Sequence, residues 1–433
     1  MQTYPRVVVV GAGFGGMQAA QSLARAGIEV LLIDYNNYHT FVPLLYQVAM
    51  AQLEPTQIIF PLRNAVRRSP RHLRFLMADV RSIDFGKRRI ETEDDVIFYD
   101  YLVLATGSQT KYLGVAGAAE HALPMQTLEQ AIVLRHRILS CVEQASRTVD
   151  PKARQRLLTF AIVGGGATGV EVAGALVELI NSAFVKDYPR LDRREVRVLL
   201  VQSGDCLLQD LPEKLGRYAE RHLRRMGVEI YLQAKVSQVT EGTIHLETGE
   251  TIAAETVVWT AGVQVRLPEV SEDLPSQKGG KLQVRPTLQL LDHAQVYAIG
   301  DLAHFKQNGR SLDGVAPEAL QQGVATARNI QRQLRGNSPL PFRYFNKGRL
   351  AIIGGFAGVG KIGPFALTGF LAWLMWLGVH LVYLPGFRNR FYVLQTWLQN
   401  YILGDRAVRF ILRQHDLSAS AKKPTYSRSR SKI

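Results

Sequence analysis

Cysteine is almost absent from this 433-residue chain. Cys141 and Cys206 stand 65 positions apart, so they cannot build a CxxC redox pair, a disulfide framework or a thiolate metal cluster within one chain. Both read as buried structural thiols. The ten histidines show no ligand spacing: His39, His72, His121 and His136 are scattered, and core or surface roles suit each. No metal site is expected. No cleavable leader is expected, because "MQTYPR" passes into an apolar run that ends in glycines, and the body is expected to stay on the cytoplasmic side. Acidic residues are also in deficit, 37 against 52 Lys or Arg, for a net charge of +15. Residues 388–433 hold ten of those cations against Asp405 and Asp416 alone, a local excess of +8. Such an excess suits nucleic acid or an anionic lipid surface. The neighbouring apolar stretch favours lipid and argues against nucleic acid.

Hydrophobic residues at 47% and charged residues at 21% mark a folded chain, long enough for two or three domains. Residues 7–16, "VVVVGAGFGG", predict a buried parallel strand that turns through Gly11, Gly13 and Gly16 into a helix. The three glycines serve different ends. Gly11 makes the tight turn, Gly13 lets the backbone approach a pyrophosphate, and Gly16 lets helix and strand pack closely. The next strand, "EVLLID", ends at Asp34, 23 residues after Gly11, where a carboxylate accepts hydrogen bonds from an adenosine ribose. A second copy, "FAIVGGGATGVEVAG", repeats the spacing at Gly164, Gly166 and Gly169. Two loops imply two dinucleotides. In the second copy Gln202 stands where the ribose-binding acid is expected, which leaves NADPH as an additional substrate beside NADH. Between and after the loops, "YDYLVLATGSQ", "VWTAGV" and "VYAIGDLA" repeat a strand followed by small residues.

These loops, with "ATG" and "AIGD", resemble the two-dinucleotide flavoprotein reductases. That resemblance implies FAD at the first loop, NAD(P)H at the second, and a flavin ribityl contact from Asp301. Four further segments narrow it: "NNYHTFVPLLYQVA", "GGGATGVEVAG", "GVAPEALQQGVATARNI" and "LTGFLAWLMWLGVHLVYLPGFRNRF". Over nearly the whole chain, to about residue 413, they resemble the type II NADH:quinone oxidoreductases, with a membrane quinone as acceptor. The FAD contacts then implied are Gly11, Ala12, Gly13, Phe14, Gly15, Gly16, Asp34, Tyr35, Val80, Ala105, Thr106, Gly107, Gly300, Asp301, Ala316 and Pro317. On the nucleotide side they are Gly164, Gly166, Gly169, Gln202, Ala261 and Gly262. The same resemblance makes Glu171 the catalytic carboxylate between nicotinamide, flavin and quinone; the plainer reading is a first-turn glutamate complementing a helix dipole. Gln321 and Gln322 are implied at the quinone edge, against the plainer reading of Gln321 as a surface helix residue. Pro317 departs from the family's "AQ" at 316–317 and has no amide to donate.

The apolar run "FALTGFLAWLMWLGVHLVYL", residues 365–384, carries no formal charge. As one helix it would rise about 30 Å, enough for a span. A span would send ten Lys and Arg across the membrane, against the usual bias. In residues 391–402, Phe391, Val393, Leu394, Trp397, Leu398, Tyr401 and Ile402 fall on one side, and Gln395, Thr396, Gln399 and Asn400 on the other. The expectation is a monotopic anchor on the cytoplasmic face of a membrane, flanked by Arg388, Arg390, Arg406 and Arg409. A true span, and a homodimer or core interface through this region, are the alternatives.

The predicted fold class is α/β, with two Rossmann-like domains, the second inserted in the first, and a C-terminal membrane-associating helical module. The boundaries read as 1–115 for the first part of the FAD domain, 116–155 for a connection, and 156–265 for the NAD(P)H domain. The second FAD part follows at 266–342, the anchor at 343–415, and a basic, disordered tail at 416–433. Two rival functions use the same loops: a ferredoxin- or rubredoxin-type reductase, and a redox-sensing nucleotide-binding protein.

Overall fold

The computed structural model describes residues 6–189, 191–403, 409 and 411; the basic tail expected at 416–433 lies outside the described residues, as does Arg406. The strand Val7–Val10 is buried on both faces, as a run of four valines requires in a sheet covered by helices. It pairs in parallel with Val30–Asp34 and Tyr101–Leu104, and Leu73–Met77 and Val296–Ala298 complete a five-stranded parallel sheet. The strand Val296–Ala298 comes from beyond the second loop, so the second domain is inserted in the first.

The second sheet repeats this plan. Thr159–Val163 lies between Arg197–Val201 and Thr256–Trp259, and Val228–Tyr231 forms one edge. Its other edge is the short strand Leu123–Pro124, parallel to Thr256–Trp259. The segment 116–155 is therefore more than a connection. It supplies that edge strand and the helix Leu128–Ala145, whose Leu134, Ile138 and Val142 are buried in the largest core cluster. A two-residue strand is too short to register as a pattern of its own.

Two close approaches join the parts. A Cβ on Gly323, in the helix Ala316–Leu334, would sit 2.4 Å from the Gly15 carbonyl oxygen, so only glycine lets this helix lie against the first-loop helix Phe14–Arg25. A Cβ on Gly174 would sit 1.7 Å from the Ile353 oxygen. This contact presses the second-loop helix Ala167–Leu179 against the C-terminal sheet Arg349–Gly354, Ala357–Ile362 and Phe365–Thr368. Arg349 adds ion pairs to Asp210 and Asp313, tying that sheet to both dinucleotide domains.

The C-terminus corrects the reading of one 20-residue helix. Phe365–Thr368 is a strand; Gly369, with φ of +71°, turns the chain into the helix Gly369–Tyr383, and Phe387–Leu403 follows. Fifteen residues rise about 22 Å, and among the described residues no helix is long and apolar enough to cross a membrane. The second helix also sits differently from its sequence pattern. Val393 and Trp397 are buried against the body, with the Trp397 indole N–H donating to the Gln47 side chain at 2.8 Å. Of the residues expected to face away, Thr396 accepts from the Gln57 amide and Asn400 donates to the Gln52 carbonyl. Phe391, Leu394, Leu398 and Ile402 remain exposed, continuous in sequence with exposed Phe370, Leu371, Leu374, Val382 and Phe387.

Candidate active site

The two loops match in conformation as well as in sequence. Gly11 and Gly164 have φ of +99° and +114°, values that an L side chain rarely adopts. A Cβ on Gly16 would meet the Gly11 oxygen at 1.9 Å, and one on Gly169 the Gly164 oxygen at 1.8 Å. At Gly13 and Gly166 a Cβ would meet nothing within 4 Å. These two positions border open space at the start of a helix, which is the room a pyrophosphate needs.

The partner of each loop is also matched. Asp34 Oδ2 accepts from the Ala12 amide at 2.6 Å, and Oδ1 from the Asn36 amide at 2.8 Å. Burial raises the Asp34 pKa and these amides pull it back. In the second loop Gln202 Oε1 accepts from the Gly165 amide at 2.9 Å. Gln202 therefore occupies the counterpart of Asp34 without the charge.

A cavity of about 730 Å³ opens at the first loop. Its walls include Gly11, Ala12, Gly13, Phe14, Gly15, Asp34, Tyr35, Ala105, Thr106, Gly107, Glu171, Gly300, Asp301, Ala316 and Pro317. Gly16 lies beneath the loop. Val80 is buried among the sheet residues Val8, Ile33 and Leu102 and does not reach the wall, because its strand turns it into the core. Gly164, Gly166, Gly169, Gln202, Ala261 and Gly262 stay with the second sheet, while Ala167, Thr168 and Glu171 of the following helix reach the cavity. Asp301 is held by the Ser108 hydroxyl at 2.6 Å, which accepts in turn from the Gln126 amide at 3.0 Å.

The two glutamines expected at the quinone edge do not enter this cavity. Gln321 closes two hydrogen bonds with the backbone of Phe345, each 2.9 Å, and borders a different groove. Gln322 is buried and accepts from the Gly300 amide at 2.6 Å, so it shapes the turn before Asp301. Pro317 stands in the first turn of its helix, where an amide would have no intrahelical acceptor. The Glu318 carboxylate accepts the Gly314 and Val315 amides at 2.8 and 3.2 Å and caps that helix instead.

Glu171 is the buried acid of the cavity. The Ile352 amide lies 3.5 Å from its carboxylate, and Trp376 faces it from the C-terminal helix. Burial pushes its pKa up to about 8, with the Ile352 amide and the Trp376 indole pulling the other way. At neutral pH its carboxyl holds a proton. The residue touches open cavity on one side and dense protein on the other, which reconciles its partial surface exposure with its strong desolvation.

Several wall residues were not singled out from sequence. His39 donates to the Ala12 carbonyl at 2.8 Å, and burial lowers its pKa. Arg266 lies over the Tyr35 ring at 4.3 Å. His380 stacks on Trp376 at 3.9 Å; its Nδ1 bonds the Trp376 carbonyl at 2.7 Å, and burial lowers its pKa to about 4. The signal for His380 was present, because it is the one histidine inside the apolar run 365–384.

The pyridine nucleotide-disulphide oxidoreductase family model matches residues 5–333. The chain is 36% identical over 414 residues to the type II NADH:quinone oxidoreductase Ndh of Mycobacterium tuberculosis, covering 92% of this chain and 88% of that protein. It belongs to the type II NADH:quinone oxidoreductases. A relative of that name in Staphylococcus haemolyticus is 27% identical, over 85% of this chain and 92% of its own. NDH2 from Plasmodium falciparum, solved in complex with NADH, superposes with a TM-score of 0.87 at 18% identity, over 95% of this chain and 100% of its own. At that identity the likeness is one of fold. The sulfide:quinone oxidoreductase of Aquifex aeolicus follows with a TM-score of 0.70, over 93% of this chain and 96% of its own. The two cysteines lie in separate places: Cys141 is buried as expected, whereas Cys206 is partly exposed and so is not the buried thiol expected from sequence.

Proposed function

We propose that the chain carries out the reaction of its family, passing electrons from NADH to a quinone without pumping protons. FAD fits the first loop: the open space at Gly13 suits its pyrophosphate, Asp34 its ribose, and Asp301 with Ser108 its ribityl hydroxyls. When bound, the flavin accepts a hydride from the reduced nicotinamide and delivers two electrons to the acceptor. The carrying observation is that Glu171, on the second-loop helix, lines the same cavity as the first loop. One carboxyl thus adjoins both the nicotinamide side and the flavin side. It holds a proton at neutral pH and can give it when quinone oxygens become basic.

The quinone ring is assigned to the mouth between Val42, Leu45 and Tyr46 on one side and Val379 and His380 on the other. This mouth adjoins the exposed apolar residues of the two C-terminal helices, which we assign to one leaflet of a lipid surface in a monotopic arrangement. A quinone dissolved in the bilayer then reaches the cavity without crossing water. Gln202 carries no charge to repel a 2′-phosphate, so both NADH and NADPH are accepted, with NADH equal or better.

Protein purified in detergent tests the whole reading. It should release FAD on denaturation and oxidise NADH when a short-chain quinone is supplied. Release of FMN, a flavin that stays on the denatured chain, or turnover with a ferredoxin but not with a quinone would refute it.

A further inference from the structure

A second cavity, of about 970 Å³, adjoins the first across Phe14 and His39. Its walls come from the first-loop helix, the helix Ala316–Leu334, the segment 340–347 and the corner between the two C-terminal helices. Seven cationic side chains line it, among them Arg68, Arg328, Arg332, Arg343 and Arg390, and no Asp or Glu does. Other arginines of the body do have acids: Arg137 and Arg156 both reach Glu255, Arg197 reaches Glu229, and Arg349 reaches two aspartates. Among the described residues none of the seven groove cations makes an ion pair. Several are instead held by neutral acceptors. Arg332 donates to the Ser338 carbonyl at 2.7 Å, Arg390 to the Leu384 carbonyl at 2.8 Å, and Lys347 to the Tyr383 hydroxyl at 2.9 Å. Like charges gathered without counter-charge repel one another, and an anion placed among them relieves that repulsion.

The groove is not wholly polar. Phe60, Val324, Phe342 and Val382 also form its walls, and it ends at the corner where Val382 is 66% and Phe387 84% exposed. From these features we propose that the groove binds one anionic phospholipid, its phosphate among Arg68, Arg328, Arg332 and Arg390 and its acyl chains leaving along Val382 toward the leaflet. This rests on the reading that the C-terminal helices lie on lipid. A small soluble anion would use the cations but not the apolar end, and a quinone would use the apolar end but leave the cations unmatched. Phe14 and His39 line both this groove and the flavin cavity, so the lipid would sit one side chain from the cofactor. Binding there would fix the angle at which the enzyme lies on the membrane.

The test uses the full-length flavin-loaded protein, reconstituted in bilayers of phosphatidylcholine mixed with phosphatidylglycerol and re-extracted in non-ionic detergent. The retained lipid is measured per flavin. The natural protein should keep phosphatidylglycerol in stoichiometric amount and little phosphatidylcholine. The double variant Arg328→Gln/Arg332→Gln should bind it about 30-fold more weakly, and Arg68→Gln/Arg343→Gln should weaken it too, should the first pair fold poorly. A control of equal charge loss, Arg221→Gln/Arg225→Gln on a remote helix, should retain it. Equal retention by groove and control variants overturns the proposal. So does equal retention of both lipids, or displacement of the lipid by inorganic phosphate alone, which would mark a general anion site. Binding to pure phosphatidylcholine vesicles is read separately: its absence in the natural protein defeats the anchor, whereas its preservation in the groove variants shows that only the groove was altered.

Discussion

Glu171→Gln separates the proton-holding reading of this acid from a purely structural one. The folded protein raises its pKa from 4.5 to about 8, chiefly by burial. The gap is about 3.5 units, and at about 1.4 kcal/mol per unit the charged form costs the fold about 3–5 kcal/mol. The direction follows from proton counting. Below about pH 4.5 both folded and unfolded chains hold the proton. Between about 4.5 and 8 the folded chain keeps it while the unfolded chain has released it, so stability from this residue falls as pH rises through that window and is level above it. Glutamine has no proton to lose. Between pH 6 and pH 9 the natural protein should therefore lose about 2.7 kcal/mol more stability than the variant. Urea unfolding of the two flavin-loaded proteins at both pH values measures this, since all other titrations cancel in the difference. Parallel pH dependences would refute the raised pKa. In the same samples the variant should keep its flavin yet reduce quinone more than about tenfold slower, roughly 1.4 kcal/mol in barrier. Unchanged turnover would leave Glu171 a buried structural acid with no part in the reaction, since it lies beyond the first turn of its helix.

Gln202→Glu should shift the ratio of kcat/KM for NADH over NADPH toward NADH, because a carboxylate held by the Gly165 amide would repel the 2′-phosphate; no shift would remove position 202 from ribose recognition. The triple variant Phe391→Ser/Leu394→Ser/Leu398→Ser should fold with its flavin but leave neutral vesicles readily, since these side chains are exposed; tight retention would refute the anchor. Trp397→Ala should cost about 3–5 kcal/mol in urea unfolding, because the ring is buried and bonded to Gln47; a loss under about 1 kcal/mol would mean that the helix does not dock as described.

The dinucleotide loops were legible because their glycines encode backbone geometry directly. Gly11 and Gly164 need positive φ, and Gly16 and Gly169 need contact too close for a Cβ, so spacing alone carries the structure. Asp34 was legible for the same reason, since its carboxylate serves the loop amide itself. The edge strand Leu123–Pro124 was not, because two residues have no period. The Ser108 and Gln126 support of Asp301 was also hidden, as it joins residues 193 and 18 positions apart. For Gln321 the family segment located the helix but not the amide's partners, which come from the backbone of Phe345.

The C-terminal helix explains why amphipathic patterning can find a face and still misassign it. Periodicity sorts side chains by polarity, and it assumes that polar ones meet water. Here Gln57 and the Gln52 carbonyl offer hydrogen bonds from the body, so Thr396 and Asn400 turn inward at little desolvation cost. Trp397 goes with them because its N–H finds Gln47. The helix is consequently held by a mixed face, and the apolar residues left over, Phe391, Leu394, Leu398 and Ile402, point away from the protein. A helix held by hydrogen bonds on one side and left apolar on the other presents those apolar side chains in a fixed orientation. The helix Gly369–Tyr383 is fixed likewise, by Trp376 buried beneath His380 at the cavity mouth. The helix Gly369–Tyr383 thus lines the cavity with Val379 and His380 and leaves Phe370, Leu371, Leu374 and Val382 exposed, so under the proposed reading lipid contact and quinone entry share a geometry set by one helix.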